Sequence, residues 1–206
     1  IKMYLDLKNN TDYTKLIEPA KIIKNGGLVI FPTETVYGVG ANGLDKNAIK
    51  KIYEAKQRPL NKPISLLVSN IDMIENDITN IEYSIIEKFF PGPLTIILKK
   101  KETIPDVLTA GSDTIGIRMP ANDIALNLIN YAGVPIATPS ANISGKPSGT
   151  NLKDIIKDFD GNVDCFIDDG PSKIGLASTI VKVVDGVPHI LRQGSISIDE
   201  INSVIN

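Results

Sequence analysis

The chain has one cysteine, one histidine, three arginines and no long apolar run, and each scarcity excludes something. A lone Cys165 cannot close an intramolecular disulfide, and Cys165 with His189 is too small a soft-ligand set for a structural zinc site. The same shortage argues against Cys-His catalysis. No apolar stretch approaches the roughly 18 to 20 residues of a membrane span, and the opening "IKMYLDLKNN" lacks the apolar core of a signal peptide, so a cytoplasmic protein without membrane contact is expected. A formal net charge of −2 withholds the broad basic footprint of a nucleic-acid binder, so weak or no direct binding of nucleic acid is expected.

What remains is ordinary globular composition. At 206 residues, 42% hydrophobic and 22% charged, the chain is expected to form a single domain over 1–206 with a sizeable core. Against nineteen lysines, the arginines Arg58, Arg118 and Arg192 stand out. A guanidinium offers a planar fork of donors that grips phosphate or carboxylate at two points, which an ammonium cannot do. All three are therefore candidates for positions that need an arginine.

Helix and strand patterns alternate along the chain. "NTDYTKLIEPAKIIKNGG" carries apolar residues at helical spacing and stops on glycines, and "LVIFP" follows as a buried strand. "TVYGVGANG" reads as a short extended piece, and Asp45 opens a helix, "DKNAIKKIYEAKQR", that Pro59 ends. Strands follow at "ISLLV", "LTIILK", "IGIRM", "VPIAT", "DCFID", "STIVKVV" and "HILR". Helices fall at "IEYSIIEKFF", "DIALNLINYA", "NLKDIIKDF" and "SIDEINSVI". This order predicts an α/β domain around a large twisted sheet with flanking helices.

On the helix from Asp45, Lys56 lies seven residues after Ile49 and four after Ile52, so it extends the apolar stripe inward. Lys50, Lys51 and Glu54 lie outside. Lys56 reads either as a snorkelling cation at a helix end or, with Arg58 and Lys62, as part of an anion site. Pro59 and Pro63 stiffen the loop that carries Arg58 and Lys62, and a stiff loop lowers the ordering cost of binding, which favours the anion site.

Two familiar phosphate motifs are incomplete in this chain. "SGKPSG" is no P-loop, because Pro147 follows Gly145-Lys146 where Ser or Thr is required. Gly38, Gly40 and Gly43 match G-x-G-x-x-G before a helix, but the next strand, "PISLLVSN", lacks the acidic residue a dinucleotide fold places at its end. A turn that needs small residues is the better account. The hydroxyl-rich stretches "FPTETVYG" and "IATPSANISGKPSGT" sit at strand ends and offer donors that can surround phosphate without full charge.

Together "FPTETVYGVG", "AKQRPLNKPISLLV", "PGPLTIIL", "TIGIRMP", "TPSANISGKPSG" and "ASTIV" resemble the YrdC-like family, and within it the short, single-domain threonylcarbamoyl-AMP synthases. The likeness runs from about residue 10 to about residue 195. The family signature Lys-x-Arg followed by Ser-x-Asn corresponds to Lys56 and Arg58, then Ser140 and Asn142. The resemblance implies a twisted mixed sheet with a concave, positively charged cavity. It also implies a nucleotidyltransferase that converts L-threonine, bicarbonate and ATP into threonylcarbamoyl-AMP and pyrophosphate for tRNA modification. By position, it implies threonine and carbamate contacts at Thr35, Arg118, Thr138 and Ser178. It implies ATP contacts at Lys56, Arg58, Lys62, Thr114, Ser140, Asn142, Ser148 and Arg192, with Lys56 and Arg58 catalytic. Mg²⁺ is expected to arrive with ATP, without a metal site or tightly bound cofactor, and the product to pass to a tRNA threonylcarbamoyl-transferase complex.

Where many members have Asn this chain has Lys62, and where many have His it has Leu67, which removes one implied threonine contact. The sequence stops at Asn206, short of the C-terminal domain of longer members, so loops are expected to close the cavity. Two other functions fit the same resemblance: a carbamoyl-transfer module of a larger maturation protein, and an RNA-binding protein of the same fold.

Overall fold

The computed structural model describes residues 3–205; the ends of the expected 1–206 domain, residues 1, 2 and 206, lie outside them. The strands, in chain order, are β1 (Tyr4–Asp6), β2 (Val29–Phe31), β3 (Gly38–Asn42), β4 (Leu66–Leu67), β5 (Ile78–Thr79), β6 (Leu94–Lys100), β7 (Thr114–Arg118), β8 (Ile136–Ala137), β9 (Cys165–Asp168), β10 (Thr179–Val184) and β11 (Val187–Arg192). The helices are α1 (Ile17–Lys24), α2 (Lys46–Lys56), α3 (Tyr83–Phe89), α4 (Asp123–Ala132), α5 (Leu152–Phe159) and α6 (Ile198–Ile205). The expected elements are present, and β1 and β5 were not foreseen. Both are very short and gain their hydrogen bonds from a longer strand, β1 from the distant β9 and β5 from β6, the next strand in the chain.

The strands form one mixed sheet in the order β1-β9-β2-β3-β8-β4-β7-β6-β10-β11, with β5 beside β6. β1, β9 and β2 run parallel, as do β4 with β7 and β6 with β10, and the other neighbours are antiparallel. Alternation along each strand divides the side chains between two cores. On one face Ile30, Leu66, Ile96, Ile117, Phe166 and Val181 join residues from α2, α3, α5 and α6. On the other face Val29, Phe31, Leu67, Cys165 and Ile167 pack against α1 and α4.

That second layer does not extend over the whole sheet. In β6, β7 and β10 the residues opposite the first core are Thr95, Ile97, Gly116, Arg118, Ile180 and Lys182, none of which belongs to either core. The pairing Leu67↔Arg118 puts Arg118 on the face that α1 and α4 cover farther along. The functional cavity opens where that helical cover ends.

The glycines expected in a turn lie instead along β3 and just after it, and they serve close packing. A Cβ at Gly38 would lie 2.3 Å from Thr138 Cγ2, at Gly40 2.6 Å from Phe31 Cε1, and at Gly43 2.4 Å from Leu66 Cδ2. β3 must pass this close to its neighbours, so the triplet serves the sheet.

Candidate active site

Four segments enclose a cavity of about 170 Å³ on the open sheet face: the loop after β2, the loop after α2, the loop after β8, and the strand ends of β6, β7, β10 and β11. Arg58, Arg118 and Arg192 all line it, and among the described residues no carboxylate does. Thr35, Thr138, Ser140 and Ser178 supply hydroxyls to the same lining, and Leu67 adds an apolar wall. Seven of the twelve expected site residues are thus brought to one cavity.

Arg118 is the most constrained of the three arginines. It ends β7 only 4% exposed, and its Nη2 donates to Glu34 Oε1 at 2.9 Å. Glu34 Oε2 accepts from the Ala121 amide at 2.7 Å, which ties this pair to the turn before α4. Burial pulls the guanidinium pKa down and Glu34 pulls it back. Its Nη1 is buried without a hydrogen-bond partner. A buried charged donor left unpaired is costly, and an anion in the cavity would satisfy it.

Arg192 is anchored through Ser178. Its Nε donates to the Ser178 carbonyl at 2.9 Å and its Nη2 to Ser178 Oγ at 3.0 Å, while Ser178 Oγ also lies 2.8 Å from Thr95 Oγ1. Arg58 folds back on its own stiff loop, its Nη2 donating to the Pro63 carbonyl at 2.8 Å. Burial lowers the pKa of both, and Arg58 lowers that of Arg192 further, so these two cations face a shared space.

Behind this lining lies Lys56, 1% exposed. Its Nζ donates to the carbonyls of Ser140 and Asn142, both at 2.6 Å, and to Asn142 Oδ1 at 3.2 Å. α2 aims it there: Asp45 caps the helix by accepting from the Asn47 and Ala48 amides, and Ile49, Ile52 and Tyr53 share the buried stripe. The helix stops at Gln57, left-handed at φ 53°, before Arg58 turns to the cavity. Asn142 accordingly faces Lys56.

The other three expected residues lie elsewhere. Lys62 is exposed, and its carbonyl accepts from Tyr53 Oη at 2.7 Å. Ser148 is on an exposed stretch of the loop after β8. Thr114 starts β7, on the sheet face of Arg118 but roughly 13 Å away at about 3.3 Å per residue. It borders a separate depression that includes Lys99 and Lys182.

Glu34, Ser65 and Thr95 are site residues that the sequence reading missed. Thr95 had left a signal, because a hydroxyl inside the apolar run "PLTIIL" marks the face of the strand turned from the core. Cys165, by contrast, plays no part in the cavity. It is fully buried, and burial with Asp164 nearby pushes its thiol up to about 12. Native protein at pH 8 should therefore react with a thiol reagent only at the rate of unfolding, and fast labelling without denaturant would contradict this.

The comparisons with known proteins agree with this geometry. A family model named Sua5/YciO/YrdC and described as "Telomere recombination" matches residues 21–194. The chain is 43% identical over 204 residues to a threonylcarbamoyl-AMP synthase of Pyrococcus abyssi, covering 98% of this chain and 60% of that protein. It is 41% identical over 201 residues to the enzyme of the same name from Bacillus subtilis, covering 95% of this chain and 58% of that protein. The structure of P. abyssi Sua5 complexed with L-threonine superposes with a TM-score of 0.94 at 43% identity, over 98% of this chain and 61% of that one. The chain spans about three fifths of the length of these relatives. The match over most of its length, with its sheet and its arrangement of helices, shows that the chain belongs to the Sua5/YciO/YrdC family.

Proposed function

We propose that this chain is an L-threonylcarbamoyladenylate synthase, a nucleotidyltransferase that joins L-threonine, bicarbonate and ATP. The observation that carries the reading is the buried, unpartnered Nη1 of Arg118 beside a cavity that holds two more arginines. Its volume of about 170 Å³ falls below the roughly 300–1,000 Å³ of pockets for drug-sized ligands, so it suits an amino acid. A nucleotide would extend beyond it along the open sheet face. The relative solved with L-threonine supports the same choice.

In this reading the threonine carboxylate takes the free nitrogen of Arg118, and Thr35, Thr138 and Ser178 hold the rest of the amino acid and its carbamate. The threonine amine attacks bicarbonate, and water leaves as the carbamate forms. A carbamate oxygen then attacks the α-phosphate of ATP, and pyrophosphate departs with the electron pair of the broken P–O bond. The carbamate and ATP are both anionic, so Arg58 and Arg192 offset their repulsion and the charge that grows on the leaving group. Ser140 adds an uncharged hydroxyl to the same lining. No enzyme nucleophile is needed, and catalysis comes from positioning and electrostatics.

Leu67 shapes the threonine end by replacing a hydrogen-bonding side chain with an apolar wall. Lys62, Thr114 and Ser148 are reserved for the outer parts of ATP. Magnesium enters as part of MgATP, since the lining supplies hydroxyls and guanidinium groups with no carboxylate to bind a cation. We further infer that this stretch forms one domain and acts in the cytoplasm, with little direct affinity for nucleic acid, and passes its product to a tRNA threonylcarbamoyl-transferase complex. Among the described residues no helix is long and apolar enough to cross a membrane.

Omission assays test the reading. Pyrophosphate release should need ATP, L-threonine and bicarbonate together; release at the same rate without threonine would rule it out.

A further inference from the structure

We propose that Lys56 is a positioning residue, which staples the loop after β8 to α2 and makes no contact with nucleotide phosphate. An ammonium has three hydrogens, and all three are engaged, by the carbonyls of Ser140 and Asn142 and by Asn142 Oδ1. The staple is reciprocal, because the Ser144 amide donates to the Lys56 carbonyl at 2.9 Å. Asn142 closes the loop on itself, its Nδ2 donating to the carbonyl of Lys146 at 2.8 Å and its Oδ1 accepting from Ser140 Oγ at 2.5 Å. Lys56 is 1% exposed and absent from the cavity lining, whereas Ser140 and Arg58 belong to it.

The arrangement assigns different work to two cations only two residues apart. Arg58 faces the cavity. Lys56 faces the backbone behind it and fixes where the Ser140 hydroxyl points. A phosphate could reach Lys56 Nζ only by displacing two backbone carbonyls, which would then be buried without a donor.

The charge state of Lys56 belongs to the same device. Burial, then Arg58 and Lys62, lower its pKa to about 7. Deprotonation removes one of three donors, so the loop should loosen as pH rises past neutrality.

The assignment of phosphate to this side of the cavity rests on the proposed function, but the loop's rigidity in the free protein does not. Amide hydrogen exchange of Ser144 and Lys146 should therefore be measured without nucleotide. In Lys56→Met these amides should exchange about tenfold faster or more, as expected when bonds to a charged donor are lost. In wild-type protein, protection corrected for intrinsic rate should fall between pH 6 and pH 9, which decides the matter should the variant not fold. MgATP titrations over a salt series supply the second arm. A screened charge contact adds to the salt dependence of affinity, so Arg58→Ala should flatten it, while Lys56→Met weakens binding and keeps the wild-type slope. Unchanged exchange in Lys56→Met, protection constant with pH in wild-type protein, or a slope flattened as in Arg58→Ala would each overturn the assignment. Absence of MgATP binding to wild-type protein would instead strike the proposed function and leave the exchange result standing.

Discussion

Changing Arg118 to glutamine should abolish threonine-dependent pyrophosphate release and also destabilise the fold, and the two losses should separate genetically. The first arises because glutamine cannot offer the charged nitrogen left free in the cavity. The second arises because Glu34, 6% exposed, would keep one backbone amide but lose its cation. Breaking a buried pair from one side costs about 3–5 kcal/mol. Pairing the change with Glu34→Gln removes the uncompensated charge, so the double variant should regain most of the stability in denaturant unfolding. Its activity should stay at background. If the double variant recovered turnover along with stability, Arg118 would be a structural residue only.

Arg58→Ala should give the second large effect, with the fold left intact. Arg58 is partly exposed, and its guanidinium donates to the carbonyls of its own loop, those of Lys62 and Pro63, and lies beside the Tyr53 hydroxyl. Both carbonyls can turn to water, so thermal unfolding should barely move. The loss should fall on MgATP. Truncating one partner of a desolvated charge pair costs about 2–5 kcal/mol, which corresponds to roughly 30-fold to several thousand-fold in kcat/KM for ATP. Loss of stability without loss of kcat/KM would reverse the assignment.

These two arginines also mark how far the sequence could be read. Scarcity of arginine, set against nineteen lysines, singled out three positions from composition alone, and the fold gathers all three at one cavity. The helical phase of Lys56 was equally legible, since Ile49, Ile52 and Lys56 fall on one stripe and are buried together. Phase told that Lys56 points inward and could not tell toward what. Its acceptors lie 84 and 86 residues away, on a loop whose path depends on the whole sheet.

Glu34 was missed for the same reason. Between two threonines it looked like a loop acid, and its partner Arg118 is 84 residues distant. Thr114, Lys62 and Ser148 show the opposite limit. A family pattern carried them to positions in the chain, and the fold places all three outside the cavity lining. β1 and β5, too short to show a period, exist through pairing with strands already in place.

The central claim, that threonine, bicarbonate and ATP are joined in this cavity, is tested most directly by following carbon. Incubated with ¹³C-bicarbonate, L-threonine and MgATP, the protein should yield an adenylate that carries the label in its carbamoyl group, seen by mass spectrometry as a one-unit shift. The labelled adenylate should be absent when threonine is omitted and absent with Arg118→Gln. An adenylate of threonine itself, with no carbon from bicarbonate, would contradict the account.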